Sequence, residues 1–531
     1  MIKRLLVVLV LLVSAGCAPK GVVNACGQLE QLPLDHARVV SAVAKSGGSS
    51  YSFVGMFVGV PFFHQPASCR VAIEMTPVDD SLIKAQLWLP ENWNGRFQGI
   101  GNGGFAGSID TLSLNFALQR GYAAASTDTG HEASDRDGSW ALHHPEKIID
   151  YGYRAIHLTA VNAKKIISAY YGRAPAHAYF GSASNGGREA LVEAQRYPED
   201  YDGILAGAPA LLPSSTLPTW GWIQQQLHAP GAYISKDKLR AIAAATVRAC
   251  DAQDGVEDGV IDDPRQCRFD PAVLTCAGEE NDQCLTPPQV QALRAIYAGP
   301  GAPYHGFEPG GELGDKGGWR DWFTGDKPRA AIEYVYVQEF MRYLVYSDAQ
   351  WSADQFDLKR DGDAFYRQLH DILDAGDPDL SKFAARGGKL ILYHGWNDGA
   401  LSPRTTIDYY ESVRARMGAK KAQQFITLYM VPGLQHCIGG PGPNAFGQLA
   451  PGPVADPRRN ISAALEAWVE QGAAPGPIIA GKYDRDITPL LAPEKASLQR
   501  TRPLCPYPQV ARWSGHGSSD DAANFSCVAP K

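Results

Sequence analysis

Ser184 stands in the run Tyr179-Phe-Gly-Ser-Ala-Ser-Asn-Gly-Gly-Arg188, between a short apolar segment, Ala176 to Phe180, and an amphipathic one, Arg188 to Arg196. Strand, tight glycine turn and helix is the context of a nucleophile elbow. Such a turn lifts one serine hydroxyl out of a sheet, and the helix N-terminus beside it offers unpaired N–H groups to an oxyanion. The run departs from G-x-S-x-G at Ser182, so it also fits a plain glycine-rich turn. Two further residues complete a chemistry. Asp398 follows an apolar run, Gly387 to His394, and His436 follows another, Phe425 to Val431. Nucleophile, acid and histidine, in that chain order and each just after a predicted strand, form the α/β-hydrolase arrangement. Its histidine takes the serine proton and later protonates the leaving alcohol, while the carboxylate fixes the tautomer and stabilises the imidazolium. The chain has 13 histidines, and only position after the last strand singles out His436. His143, His144 and His394 read as structural or surface groups.

These residues need a sheet to carry them. Val71 to Thr76 and Ile83 to Leu89 read as opening strands, and Arg96 to Ile100 as a third. The third empties into Gly101-Asn-Gly-Gly-Phe-Ala-Gly107, placed where an α/β-hydrolase keeps its second oxyanion N–H. Tyr122 to Thr127 is another buried strand and ends in Asp128-Thr-Gly-His131. Tyr151 to Tyr171 carries apolar residues at helical spacing, which makes a βαβ unit with the elbow strand and implies a parallel sheet. Tyr201 to Ala210 holds the next strand. After about Leu212 the alternation stops, and it resumes only near Ala385. The stretch between is rich in Trp, Tyr and Phe and reads as an inserted lid whose aromatics mostly form its own small core, a minority facing a pocket. Ile407 to Met417 and Ile461 to Val469 read as closing helices, with a Pro-rich tail after them. The division is 1–17 export signal, 18–211 first hydrolase part, 212–385 lid, and 386–531 second hydrolase part with tail.

Composition agrees with an exported enzyme. The chain of 531 residues is 45% apolar and 20% charged, which suits a globular domain with an insertion. A net charge of -7 gives no reason to expect nucleic acid or an anionic membrane as partner, and nothing in the pattern specifies an oligomer. Lys3 and Arg4, an apolar run from Leu5 to Val13, and Ser14-Ala-Gly-Cys17 form an export signal. The small-small-Cys ending makes Cys17 a candidate lipid-anchored N-terminus and the only expected membrane contact; plain secretion after cleavage is the other reading. Ten cysteines suit an oxidising compartment, and neighbour pairing is the simplest of the connectivities they allow.

Within the lid, Cys250 to Asp263 repeats acidic residues with glycines between them, so the backbone can curl and turn carboxylates and carbonyls toward one point. A hard cation, Ca²⁺ first, is held that way, although the spacing is not that of an EF-hand. A solvated acidic loop has the same composition. Cys250 and Cys267 would close this one.

Taken together, these segments resemble the tannase and feruloyl esterase family. The resemblance is carried by Trp93-Asn-Gly-Arg-Phe97 and the glycine loop, Asp128 to His131, Ser184 to Arg188, Tyr201-Asp-Gly-Ile204, the Cys250 to Asp263 loop, Tyr393-His-Gly395 with Asp398, Val431 to Gly440, and Arg502 to Pro508. It implies an α/β-hydrolase fold with a large inserted lid, Ser184, Asp398 and His436 as the catalytic triad, and backbone N–H groups of Gly104 and Asn185 as oxyanion donors. It implies structural Ca²⁺ on Asp251, Asp254 and Asp258 with the carbonyls of Val256 and Val260. It also implies the disulfides Cys26–Cys69, Cys250–Cys267, Cys276–Cys284 and Cys505–Cys527. Substrates in the family are small esters of aromatic acids: gallates, ferulates, terephthalate monoesters. One departure stands out. The family bonds a cysteine before the nucleophile to one after the histidine, and here Cys437 is present while position 183 is Ala. The expected activity is serine-dependent hydrolysis of aromatic-acid esters. A broader aryl or alkyl esterase and a non-catalytic ligand-binding lipoprotein are the alternatives.

Overall fold

The computed structural model describes residues 26–51, 62–313, 317–448, 455–486, 488–491 and 495–530. The export signal and Cys17 lie outside them. Nine strands form one sheet: β1 (Ala37–Lys45), β2 (Ser68–Met75), β3 (Ile83–Pro90), β4 (Arg96–Ile100), β5 (Ala123–Thr127), β6 (His177–Ala183), β7 (Gly203–Gly207), β8 (Lys389–Gly395) and β9 (Ile426–Val431). Their spatial order is β1-β2-β3-β5-β4-β6-β7-β8-β9. From β5 to β9 all neighbours are parallel, while β1, β2, β3 and β5 pair antiparallel. The sheet is therefore mixed, not parallel throughout as the βαβ reading implied. A short link, residues 76–82, brings the chain straight back beside β2 as antiparallel β3, while the parallel pairs are reached through helical crossovers. The first strand escapes detection because it is an edge strand, with a bulge between Val39 and Ser41 that interrupts its alternation.

Alternate strand residues serve opposite layers. Phe180, Ile204, Leu390 and Leu392 pack with helices α2 (Ala155–Tyr171) and α3 (Asn185–Arg196). Tyr179, Leu205 and Ile391 pack on the other face with Leu114 and Trp468, which belong to helices α1 (Thr111–Gln119) and α9 (Ile461–Gln471). A period-2 strand buried on both faces makes this three-layer core possible.

Between β7 and β8, which pair directly, the described residues add no strand to the sheet. They supply helices instead, among them α4 (Pro213–His228), α5 (Lys236–Cys250), α6 (Pro287–Ala298), α7 (Ile332–Glu339) and α8 (Leu358–Leu373). The aromatic cluster of this insert is not a core of its own. It is continuous with Phe105, Trp140 and Tyr151 before the elbow and with Ala400 and Leu401 after β8. Aromatic surface that large is buried most fully against the sheet-borne loops, so the two parts share one interior. The tail forms two small antiparallel pairs, Ile478–Tyr483 with Leu498–Leu504 and Val510–Trp513 with Phe525–Val528.

Candidate active site

The chain turns sharply where β6 meets α3. Ser184 sits at that turn with φ 62° and ψ −126°, a conformation that an L-residue holds only when its surroundings enforce it. Here they do: Ser184 N donates to Gly207 O at 3.0 Å, and Ser184 O accepts from Ala210 N at 3.0 Å and Arg188 N at 3.1 Å. Gly186 follows because a Cβ there would run into the Ser182 side chain. The elbow expected from the sequence is present in the backbone despite its altered motif.

His436 and Asp398 arrive from the ends of β9 and β8. Ser184 Oγ and His436 Nε2 are 3.0 Å apart, and His436 Nδ1 is 2.9 Å from Asp398 Oδ2. Asp398 is buried, and its Oδ1 accepts from the backbone N–H of Ala400 (2.8 Å) and Leu401 (2.9 Å). Burial alone would raise the Asp398 pKa. The His436 charge and hydrogen bonds from His394 and His436 outweigh it and hold the carboxylate ionised well below its usual range. For His436 burial works toward the neutral ring, and the Asp398 charge overrides it, so the imidazole is held above its ordinary 6.5. The Cys437 side chain beside the ring acts in the same direction. A hydrogen-bonded chain of this kind can strip a proton from the serine as its oxygen attacks a carbonyl carbon.

His394 reads in the sequence as a structural or surface group. It is fully buried, with Nε2 3.2 Å from Asp398 Oδ2 and Nδ1 2.7 Å from Thr406 Oγ1. Nε2 also lies 3.2 Å from Leu401 O, and two acceptors on that side call for an Nε2–H donor toward the acid. The signal that could have found it is its position at the end of the strand carrying the acid. His143 and His144 bond Ser347 and Asp80, away from the triad.

Gly104 and Asn185 line the same cleft as Ser184 and His436. Asn185 is the first residue of α3, whose opening N–H groups have no partner within the helix. Gly104 has φ 54°, and a Cβ there would run into the Tyr336 hydroxyl and the Asp135 carbonyl. The Asp128 to His131 segment braces this loop: His131 Nε2 lies 2.7 Å from Phe105 O, and its ring stacks on Trp140. Burial lowers the His131 pKa to about 4, so the ring is neutral.

The cleft has a cavity volume of about 50 Å³ and is walled by Leu217, Trp220, Trp322, Tyr336, Phe340 and Leu401. Three of its aromatics ride on π-helical turns, Tyr151 in Asp150–Arg154, Trp322 in Arg320–Thr324 and Phe340 in Phe340–Val345. One extra residue per turn rotates the helix face, which is why a regular 3.6 period in the sequence does not place these rings. Trp322 meets the His436 ring edge-on, centroids 5.0 Å apart.

The acidic loop, Cys250 to Asp263, is held by contacts of its own. Among the described residues no group of three or more His, Cys, Asp or Glu is arranged to hold a metal ion. Asp251 spends its carboxylate on the N–H groups of Asp258 and Gly259, and Asp258 is drawn to Arg500 and Arg502 from the tail. Asp251, Asp254 and Asp258 lie close enough to repel one another, and the Arg500 and Arg502 charges offset part of that repulsion at Asp258. Asp262 shares a side-chain hydrogen bond with Asp254, and burial and that neighbouring charge push its carboxyl well above the usual range. Val256 and Val260 are buried, and the loop bends at Gly255 and Gly259, both with positive φ.

Among the described residues four disulfides are present: Cys26–Cys69, Cys250–Cys267, Cys276–Cys284 and Cys505–Cys527. Cys437 is a free thiol. No described helix is long and apolar enough to cross a membrane. Disulfides at these positions are those of an exported protein.

The sequence signature described as tannase and feruloyl esterase matches residues 69–528. The chain belongs to that family. Among relatives of this tannase-family chain, an uncharacterized esterase of Xanthomonas campestris pv. campestris is 43% identical, covering 95% of this chain and 91% of its own. The mono(2-hydroxyethyl) terephthalate hydrolase of Piscinibacter sakaiensis is 34% identical, covering 87% and 83%. The crystal structure of feruloyl esterase B from Aspergillus oryzae superposes with a TM-score of 0.85 at 26% identity, covering 95% and 100%. The fold is thus that of an α/β-hydrolase, and the protein is an esterase of this family.

Proposed function

We propose that this esterase hydrolyses esters of aromatic carboxylic acids through an acyl-enzyme on Ser184. The observation that carries the reading is the Ser184–His436–Asp398 hydrogen-bonded chain opening into a cleft walled by aromatic side chains. Ser184 Oγ attacks the ester carbonyl carbon while its proton passes to His436 Nε2. Backbone N–H groups of Gly104 and Asn185 take up the charge that develops on the carbonyl oxygen. Collapse breaks the bond to the alkoxide, which leaves with the proton from His436. Water then repeats the sequence on the acyl-enzyme and releases the acid. Asp398 stays ionised throughout, and His394 is placed to keep its carboxylate aimed at His436.

The names of the relatives, feruloyl esterase and terephthalate monoester hydrolase, support an aromatic acyl group. The test compares kcat/KM for methyl ferulate, methyl gallate, chlorogenate, the mono(2-hydroxyethyl) terephthalate ester and p-nitrophenyl acetate. A preference of at least tenfold for one of the aromatic-acid esters is expected. Equal rates on all five would make it a broad aryl or alkyl esterase, and no turnover with no fluorophosphonate labelling of Ser184 would make it a binding protein.

For the acidic loop, we propose Ca²⁺ held by Asp254 and the carbonyls of Val256 and Val260, with Asp251 and Asp258 turning in from their present partners. Support comes from the curl at Gly255 and Gly259 and the density of oxygen donors. A bound cation there would brace the insert against the tail and supply no chemistry to ester cleavage. Acylation of Cys17 as a membrane anchor is proposed on the export-signal pattern.

A further inference from the structure

The two segments that carry the oxyanion donors come from different parts of the chain, the loop after β4 and the first turn of α3. What keeps them in register lies beneath the elbow. Glu189 is fully buried one turn into α3. Its Oε2 accepts from the backbone N–H of Asn102 at 2.9 Å, and its Oε1 accepts from Asn185 Nδ2 at 3.0 Å. One carboxylate thus holds a loop amide with one oxygen and the side chain of an oxyanion residue with the other.

The surrounding geometry leaves no slack in this link. A Cβ at Gly101 would come within 2.6 Å of Glu189 Oε2 and 2.9 Å of the Gly186 Cα, so the loop runs directly over the helix. Asn102 is itself fastened, its Nδ2 donating to Ser108 O and Thr127 O, both at 2.9 Å. Asn185 Oδ1 accepts from Arg188 Nε at 2.8 Å and from the Tyr151 hydroxyl at 3.1 Å, and the same hydroxyl is 3.0 Å from Gly104 O. Arg188 is buried and anchored on the carbonyls of Tyr151 and Gly152.

We propose that Glu189 is a positioning residue for the oxyanion hole, tying the Gly104 loop to Asn185 so that both N–H groups point at one oxygen. The inference rests on the esterase reading of Ser184. A buried carboxylate with two donors cannot be exchanged for an amide without loss. Glu189→Gln keeps the volume, but its NH₂ must face one of two N–H donors, and the loop or the helix turn has to give way. Displacement of an oxyanion donor acts on the tetrahedral state, where negative charge develops, and hardly on the planar ester.

The experiment uses the full exported chain. Glu189→Gln is expected to lower kcat by about 10- to 100-fold with KM changed less than about threefold. Affinity for an arylboronic acid, which becomes tetrahedral on Ser184, should fall in step with kcat/KM, and affinity for the product acid should stay. A loss confined to melting temperature, or equal weakening of boronate and product acid, would overturn the proposal, because a merely structural carboxylate weakens both alike. If Glu189→Gln does not fold, Tyr151→Phe removes the second bridge and should show the same split at smaller size; wild-type kcat and boronate affinity there would overturn it. Ser184→Ala separates the two readings. If that variant is inactive while Glu189→Gln keeps full kcat, only the positioning role falls, and if it is active the esterase assignment to Ser184 falls instead.

Discussion

The strand ends and the insert build one cleft by different means. Ser184, Asp398 and His436 stand at the C-terminal ends of β6, β8 and β9, parallel strands of one sheet with β7 between the first two, and the strand spacing leaves them little freedom. Trp220, Trp322, Tyr336 and Phe340 come from helices and π-turns of the insert, placed by packing and, for two of them, by a hydrogen bond to a loop of the sheet. Trp220 Nε1 donates to Ala400 O at 2.7 Å, and the Tyr336 hydroxyl donates to Asp135 O at 2.9 Å. Strand ends are therefore where chemistry is held, and the insert is where shape is set. Changes in the first region should act on rate, and changes in the second on choice of substrate and on stability.

The largest effect should come from the strand ends. Ser184→Ala and His436→Ala should each lower kcat by about 10⁴-fold or more while the circular dichroism spectrum stays native. A dead Ser182→Ala beside an active Ser184→Ala would move the nucleophile. The same region sets the pH dependence. His436 must be neutral to accept the serine proton, and the Asp398 charge raises its pKa against the effect of burial. Activity is then full above that pKa and lost as pH falls through it, so the acid limb of kcat/KM should lie above 6.5. Asp398→Asn should lower the rate and move the limb down; a limb unmoved by this substitution would contradict the assigned pairing.

Effects in the insert should be smaller and selective. Phe340→Ala should cost about tenfold in kcat/KM on the preferred aromatic-acid ester and clearly less on p-nitrophenyl acetate. Equal losses on both would mean that the ring supports the fold and not the choice of acyl group. Ala183→Cys tests the meeting of the two regions' loops by giving Cys437 a partner. A disulfide should form on export and raise the melting temperature; the chain-entropy model gives about 5 kcal/mol for closing a loop of roughly 250 residues, with less expected in practice. Two free thiols in the exported variant would show that the loops are held at another spacing. The smallest effect is on calcium. EGTA should lower the melting temperature by a few degrees, as a ligand at about a hundred times its Kd contributes about 2.7 kcal/mol, with kcat unchanged until the insert loosens. An identical melting curve in EGTA would remove Ca²⁺ from the loop.

Much of this was written in the chain in local form. A strand followed by Gly-Gly, an acid after the next apolar run and a histidine after the last are local patterns, and strand geometry turns each into a position at one sheet edge. The runs β8 and β9 were legible because strands buried on both faces are near-continuously apolar, and β4 and β6 because each ends in a glycine-rich turn. What only the tertiary structure decided has a common cause: it depends on residues far apart in sequence. The antiparallel first strands depend on which neighbours pair, not on their composition. His394 looked inert until β8 carried it against Asp398. Glu189, in a sequence merely a polar residue on an amphipathic helix, became a buried bridge because Gly101 lets the loop after β4 lie on α3. Asp258 met Arg500 and Arg502 only when the tail folded back, and that pairing is not visible in a loop read by itself.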